Sequence, residues 1–235
     1  MSTPVIISPS FYQVSLFEVN VFITKTKTGL ILIDTGPPGS KNAIFRAIRN
    51  IGFDPKDIQH IIVTHAHYDH SGSLADILKE VNATTYMHPA DAELVQNGIA
   101  HRFRSRNTNK LLHILTAGSI IKLPYLNIKP VKDIVTIKDM EWLPDGAGLQ
   151  VIYAPGHCKG QIALFSPENG GIMIAADIAE NISHLKLTPK CHNLHKCLAT
   201  IKRISMMDFN MALFSYGRPI LCGASDYFKR AFGFD

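Results

Sequence analysis

A chain of 235 residues with 46% hydrophobic and 18% charged side chains has the composition of a folded globular protein, which excludes disorder and collagen-like repeats. Its 24 lysines and arginines against 19 aspartates and glutamates leave a formal charge of +5; with no long basic run behind it, nucleic acid is permitted as a partner but not indicated. No stretch of about eighteen or more apolar residues is present to span a membrane.

Alternating apolar and polar residues from Tyr12 to Thr24, a Lys-Thr-Lys-Thr-Gly turn and the run Leu30-Ile31-Leu32-Ile33 predict a β-hairpin that stops at Asp34-Thr35-Gly36. Ser40 is placed to cap a helix whose Ile44, Ala47, Ile48 and Ile51 recur at helical spacing, with Gly52 ending it. Strand and helix then repeat: Ile61-Ile62-Val63 precedes the phrase THAHYDHSG and a helix with Leu74, Ile77, Leu78 and Val81 on one face. From His88 to Met140 the pattern weakens. Arg102, Arg104, Arg106 and Lys110 lead into an apolar segment from Leu111 to Leu126, read as a helical lid at about 90–126. Leu149 to Tyr153 predicts a strand ending at Pro155-Gly156-His157. Ile162–Phe165 and Ile172–Ala175 predict a hairpin whose second arm ends at Asp177. Leu194, Leu198, Ile201 and Ile204 mark another amphipathic helix, and Met211 to Phe214 a last strand before Tyr216-Gly217-Arg218-Pro219.

One regularity runs through this layout. Asp34, His65, His157, Asp177 and Tyr216 each lie just beyond a β-run, and loops at the carboxyl ends of strands line the ligand crevice of sheet-based α/β folds. Five polar residues from distant segments are thereby expected at one place.

The segment His65-Ala66-His67-Tyr68-Asp69-His70 packs three imidazoles and a carboxylate into a tight loop after a strand. Residues at i and i+2 in such a loop can put two imidazoles on one ion, while Asp69 and His70 face a second ion about 3.5 to 4 Å away. Nitrogen and oxygen donors of this kind suit zinc, iron or manganese.

With these residues the chain resembles the metallo-β-lactamase-fold superfamily, in particular its glyoxalase II and lactonase-like hydrolases. His65, His67, Asp69 and His70 stand in that family's His-x-His-x-Asp-His motif, Asp34-Thr35-Gly36 in its early Asp motif, Pro155-Gly156-His157 in its Pro-Gly-His motif, and Asp177 where its metal-bridging Asp belongs. The resemblance implies an α/β fold built as an αββα sandwich, two mixed sheets face to face with helices outside, in one domain over 1–235. It also implies that His65, His67 and His157 hold a first metal, that Asp69 and His70 hold a second, that Asp177 bridges them, and that Asp34 supports the ligands from behind.

The resemblance breaks at one position. The family's last ligand is a His in a Gly-His-Gly context, and here Tyr216 occupies the matching place in Ser215-Tyr216-Gly217. A phenol has a reference pKa near 10 and must lose its proton to ligate well. Tyr216 could ligate as phenolate, stay protonated and donate to a substrate oxyanion, or point away; the second metal is expected to be weak or absent.

Other features have blander readings. Without a secretion signal in the opening residues, a cytoplasmic location is expected, and there Cys158, Cys191, Cys197 and Cys222 are expected as free thiols, Cys158 as a small buried hydrophobe. Cys191, His192, His195 and Cys197 form a cluster, and a zinc site there is conceivable but lacks recognised ligand spacing. His101 and His113 fall in the expected lid, where either could replace a missing ligand, although solvated or core histidines are the default. The basic stretch could bind a carboxylate or phosphate. Leu111, Leu112, Ile114, Leu115, Ile120 and Ile121 could line an acyl pocket but are expected to pack the lid on the core.

The function expected from all this is metal-dependent hydrolysis with one or two zinc ions, iron or manganese being compatible. Activated water would attack an ester, thioester or lactone carbonyl of a small-molecule substrate, with Asp69 and Tyr216 as catalytic groups. A homodimer is compatible. The competing readings are a mononuclear iron oxidoreductase resembling the persulfide dioxygenases, and a non-catalytic metal- or nucleic-acid-binding protein of the same fold.

Overall fold

The computed structural model describes residues 3–17, 19–101, 125–143 and 148–234. Its strands are β1 (Val5–Ile6), β2 (Phe11–Ser15), β3 (Asn20–Lys25), β4 (Leu30–Ile33), β5 (Ile58–Ile62), β6 (Thr84–Met87), β7 (Ile99–His101), β8 (Tyr125–Asn127), β9 (Ile134–Thr136), β10 (Gln150–Tyr153), β11 (Ile162–Ser166), β12 (Ile172–Ala176), β13 (Ala179–Asn181), β14 (Leu185–Leu187) and β15 (Met211–Phe214). Its α-helices are α1 (Lys41–Asn50), α2 (Tyr68–Ser71), α3 (Leu74–Leu78), α4 (Pro89–Gln96), α5 (Leu194–Ser205) and α6 (Ala224–Phe232).

A seven-stranded sheet runs β1-β2-β3-β4-β5-β6-β9. It is antiparallel through β4 and parallel from β4 to β9. A four-stranded sheet runs β10-β11-β12-β15, with β12 and β15 parallel. Two antiparallel pairs, β7 with β8 and β13 with β14, complete the described strands.

Strand periodicity explains how these sheets stack. Successive side chains on a strand point to opposite faces, and on β4 Leu30 and Leu32 join a core with Ile44, Ala47, Ile48, Leu74, Ile77 and Val95 of α1, α3 and α4. Ile31 and Ile33, between them, join a second core with Val151, Ile162, Leu164, Ile172, Ile174 and Leu213 of the other sheet. The four-stranded sheet repeats the division: Ile152, Ala163, Met173, Ala175, Ala212 and Phe214 turn outward to pack on Ile201 and Ile204 of α5 and Ala224 and Phe228 of α6. Helix, sheet, sheet, helix is therefore the layer order, and both faces of each sheet are apolar. Ile174, wholly buried between the sheets, tests this packing. Ile174→Ala should lower stability by about 2–5 kcal/mol, read as a lower urea midpoint at unchanged slope.

Among the described residues the predicted strands and helices form, except that the segment from Tyr12 to Thr24 divides into the antiparallel strands β2 and β3, and that the lid expected as helical contributes the strands β7 and β8 beside α4. Two further local expectations need correction. Ser40 does not cap α1 with its side chain: its backbone is already helical (φ −75°, ψ −16°), and its N–H is taken by Ser73 Oγ at 2.9 Å, tying α1 to the turn before α3. The thiols are not all free either, because Cys191 and Cys197 form a disulfide, so Cys191 is not available to a zinc site with His195; Cys158 and Cys222 are free. Of the segment expected as a lid, α4 and β7 at its start and β8 at its end are described. Arg102, Arg104, Arg106, Lys110, Leu111, His113 and the rest of 102–124 lie outside the described residues. No helix of the described residues is long and apolar enough to cross a membrane.

Candidate metal centre

The five polar positions beyond strands are brought together because β4, β5, β10, β12 and β15 all end at the same edge of the sandwich. β4 hands over to Asp34, which adopts a left-handed backbone (φ 62°). β5 hands over to Thr64 and His65. His67 stands in extended conformation before α2 (φ −79°, ψ 150°), and that short helix turns Asp69 and His70 back toward the edge. Thr35 fixes the turn by donating its N–H and its hydroxyl to His70 O, each at 2.8 Å.

Three ring nitrogens converge. His67 Nδ1 lies 2.9 Å from His65 Nε2 and 2.8 Å from His157 Nε2. Together with a carboxylate oxygen of Asp177, the donor atoms of these residues all lie within 4.8 Å of one another, and all four residues are buried.

The orientation of His65 follows from its neighbours. Asp34 accepts from Thr64 N at 2.8 Å, and the Thr64 hydroxyl lies 2.8 and 3.0 Å from its two oxygens. A carboxylate only accepts, so the Thr64 hydroxyl donates to it and receives from His65 Nδ1 at 3.0 Å. That leaves the lone pair of His65 Nε2 facing the centre. Three imidazoles that turn ring nitrogens to one point can offer their lone pairs to a cation there, and nitrogen donors plus one carboxylate are a suitable set for zinc, iron or manganese. Asp177 supports the same conclusion. Both its oxygens are buried and take no ordinary hydrogen bond from the described residues; they face His70 Nε2 and His157 Nε2, each at 3.3 Å.

Charge is distributed unevenly over the centre. Burial, reinforced by neighbouring imidazoles, holds His65 and His67 well below the ordinary imidazole range. Burial likewise brings His157 down to about 4, partly opposed by Asp177. His70 behaves oppositely: burial disfavours its cation, yet Asp34, in contact with Nδ1 at 2.8 Å, and then Asp177 and Asp69 raise it well above that range. Burial works against ionised Asp177, but His70 and His157 bring its pKa down to about 2.

These shifts predict an acid sensitivity of the metal-free chain. Between the unfolded value of about 6.5 and the folded value of about 4, unfolded chain binds a proton at position 157 that the folded chain refuses, so stability falls as pH is lowered through that window. His65 and His67 act in the same sense. His70 acts in the other, contributing fully below about 6.5 and losing its contribution only as pH rises through its raised folded value. Below about 6.5 His70 is charged in both states and no longer changes the balance, so the buried neutral imidazoles decide the slope and the unfolding temperature of metal-free protein should drop between pH 7 and 4.5 in thermal melts. A flat profile would contradict the buried neutral imidazoles.

The second half of the predicted site is built differently. The Tyr216 hydroxyl donates to Asp69 Oδ2, and burial, then Asp177 and Asp69, push its pKa far above the ordinary phenol value. The protonated form is thus the stable one. Burial raises Asp69 as well. Lys190 Nζ lies 4.0 Å from the centroid of the Tyr216 ring. His70 Nε2 is 4.0 Å from Asp69 Oδ1, so Asp69, His70, Asp177 and Tyr216 are neighbours, but the Tyr216 hydroxyl occupies Asp69 Oδ2.

His101, a replacement ligand only as the alternative to a solvated or core histidine, and His192, part of the cluster with Cys191, His195 and Cys197, also border the centre. His101 gives its N–H to Ala66 O at 2.7 Å, with its ring 5.6 Å from that of His67. The His192 ring is 6.3 Å from those of His67, His101 and His157. The Cys191–Cys197 disulfide backs the His157 loop: Asn193 N donates to Gly156 O at 2.9 Å, and a Cβ on Gly156 would fall on Cys197. Asp91 was missed altogether. It is fully buried and bonds to the loops on both sides of the centre.

Comparison with known proteins gives this arrangement its class. The family model of the metallo-β-lactamase superfamily matches residues 14–212, and the chain belongs to that superfamily. Among its relatives are metallo-β-lactamase domain-containing protein 1 of Xenopus laevis, 29% identical over 170 residues (70% of this chain, 57% of the relative), and an N-acyl homoserine lactonase of Bacillus thuringiensis, 24% identical over 181 residues (66% and 62%). The chain spans 57–63% of the length of the first curated relatives it matches. Among solved structures, a subclass B3 metallo-β-lactamase of Bradyrhizobium japonicum has the same fold, with a TM-score of 0.70 at 22% identity over 98% of this chain and 91% of the other.

Proposed function

We propose that this protein is a metal-dependent hydrolase of small-molecule carboxylic esters, thioesters or lactones, with His65, His67, His157 and Asp177 holding its ion. The observation that carries this reading is the convergence of three buried ring nitrogens and a buried carboxylate within 4.8 Å. A zinc, iron or manganese ion bound there supplies Lewis acidity and lowers the pKa of a water molecule. Asp69 is the proton acceptor for that water: its Oδ1 is buried and takes no hydrogen bond among the described residues, and a raised pKa brings it closer to neutral working pH. Tyr216 keeps its proton and turns its hydroxyl from Asp69 Oδ2 to the oxygen on which negative charge develops. His70, held between Asp34 and Asp177, fixes the Asp177 carboxylate in place.

The lactonase among the relatives supports the substrate class, and the pairing of Tyr216 with Asp69 supports a single ion. The test is elemental analysis of purified protein after growth with zinc, iron and manganese, followed by an ester, thioester and lactone panel with and without chelator. About one zinc or manganese per chain with chelator-sensitive hydrolysis is expected. Metal-free protein with undiminished turnover would overturn the reading, and one iron with oxygen consumption on a persulfide would replace it by an oxidoreductase.

A further inference from the structure

The geometry points to Asp91 as the positioning residue that sets the distance between the two histidine loops of the metal centre, acting through their backbones. Its carboxylate is fully buried in the first turn of α4, where the helix dipole favours an anion. Oδ2 accepts from the N–H of Ala66, the residue between His65 and His67, at 2.8 Å. Oδ1 accepts from the N–H of Gly160, three residues beyond His157, also at 2.8 Å. The thiol of Cys158, adjacent to His157, donates to Oδ2 at 3.4 Å. One side chain thus grips loops 25 and 69 residues away in sequence.

The residue types are specific to this task. Two N–H groups approaching the two oxygens require an acceptor on both sides, which aspartate offers and asparagine does not, because its NH₂ would face one of the donors. Gly160 is required by the same contact, since a Cβ there would collide with the Asp91 carboxylate. Ala66 is held at its carbonyl too, which accepts from His101 N at 2.7 Å. The residue that separates two of the converging imidazoles is therefore clamped through both of its flanking peptides by the α4–β7 segment. A shift of either loop would separate His67 Nδ1 from His157 Nε2, which now lie 2.8 Å apart. Residues that orient metal ligands from behind commonly change affinity by about 10- to 100-fold when replaced.

This inference rests on the proposed metal site and is tested by metal binding, not turnover. Chelator-stripped wild type, Asp91→Asn and Gly160→Ala are titrated with zinc against a chromophoric chelator and with cobalt(II) by its visible absorption; circular-dichroism melts of the metal-free forms register folding. Both variants are expected to bind zinc about 10- to 100-fold more weakly, with a changed cobalt band shape in Asp91→Asn. If Asp91→Asn does not fold, Gly160→Ala, which leaves the carboxylate in place and displaces the loop, carries the comparison. Wild-type affinity and band shape in a folded variant would overturn the clamp alone. An affinity loss that merely tracks loss of the metal-free fold would assign Asp91 to stability and also overturn it. Wild type that binds neither metal would overturn the clamp together with the hydrolase reading.

Discussion

Replacing His67 with alanine is expected to weaken zinc binding by roughly 100- to 1000-fold and to abolish detectable hydrolysis. Its Nδ1 stands between His65 Nε2 and His157 Nε2, at 2.9 and 2.8 Å, so it is the central donor of the group. Structural zinc sites bind with about 10–16 kcal/mol shared over four ligands, or about 3 kcal/mol for one, and each 1.4 kcal/mol is a factor of ten. The substitution also removes one of three imidazoles that burial keeps neutral. The metal-free variant should therefore fold at least as well as metal-free wild type near pH 5. Full metal content and full turnover in His67→Ala would show that the converging nitrogens are not the ligands.

The second large effect is expected at Tyr216. In the wild type its hydroxyl is spent on Asp69 Oδ2 and its proton is tightly held, which leaves Asp69, His70 and Asp177 short of a further good donor. Tyr216→His should raise zinc content from about one to about two ions per chain, because a neutral imidazole ligates without first losing a proton as a phenol must. Tyr216→Phe should keep about one ion and slow turnover by roughly 100- to 1000-fold, the usual effect of deleting one donor to a developing oxyanion. If Tyr216→His stays at one ion, geometry and not ligand chemistry limits the second position. Unchanged turnover in Tyr216→Phe would remove the hydroxyl from the mechanism.

What the sequence reveals here, and what it hides, follow from the range of the interactions. Strands buried on both faces leave unbroken apolar runs, so Leu30–Ile33 and Ile172–Ala176 are readable without a partner in view. The order of His65, His67, Asp69 and His70 is equally local, and the geometry adds only how their rings turn. β6, with its sequence Thr84-Thr85-Tyr86-Met87, is short and half polar; only its place between β5 and β9 makes it a strand. Asp91 has no periodicity or motif to mark it, because its partners are backbone N–H groups that every residue but proline carries. Tyr216 and Asp69 are 147 residues apart, and nothing in either segment announces their hydrogen bond. Spacing and expected compartment point to thiols at Cys191 and Cys197, whereas the fold joins them as a disulfide with Cys197 against Gly156.

The division of each strand between two cores also governs how such a chain can change length over generations. On β12, Ile172 and Ile174 belong to the inter-sheet layer while Met173 and Ala175 belong to the helix side. Loss of one codon within it would exchange the two rows, and the strand could rejoin its neighbours only inside out or by sliding Asp177 away from the imidazoles. The interior of the sandwich therefore counts residues by parity, and the loops do not. Insertions and deletions tolerated by descendants of this chain should collect beyond the strand ends, where they reshape the mouth of the centre and leave its ligand spacing untouched.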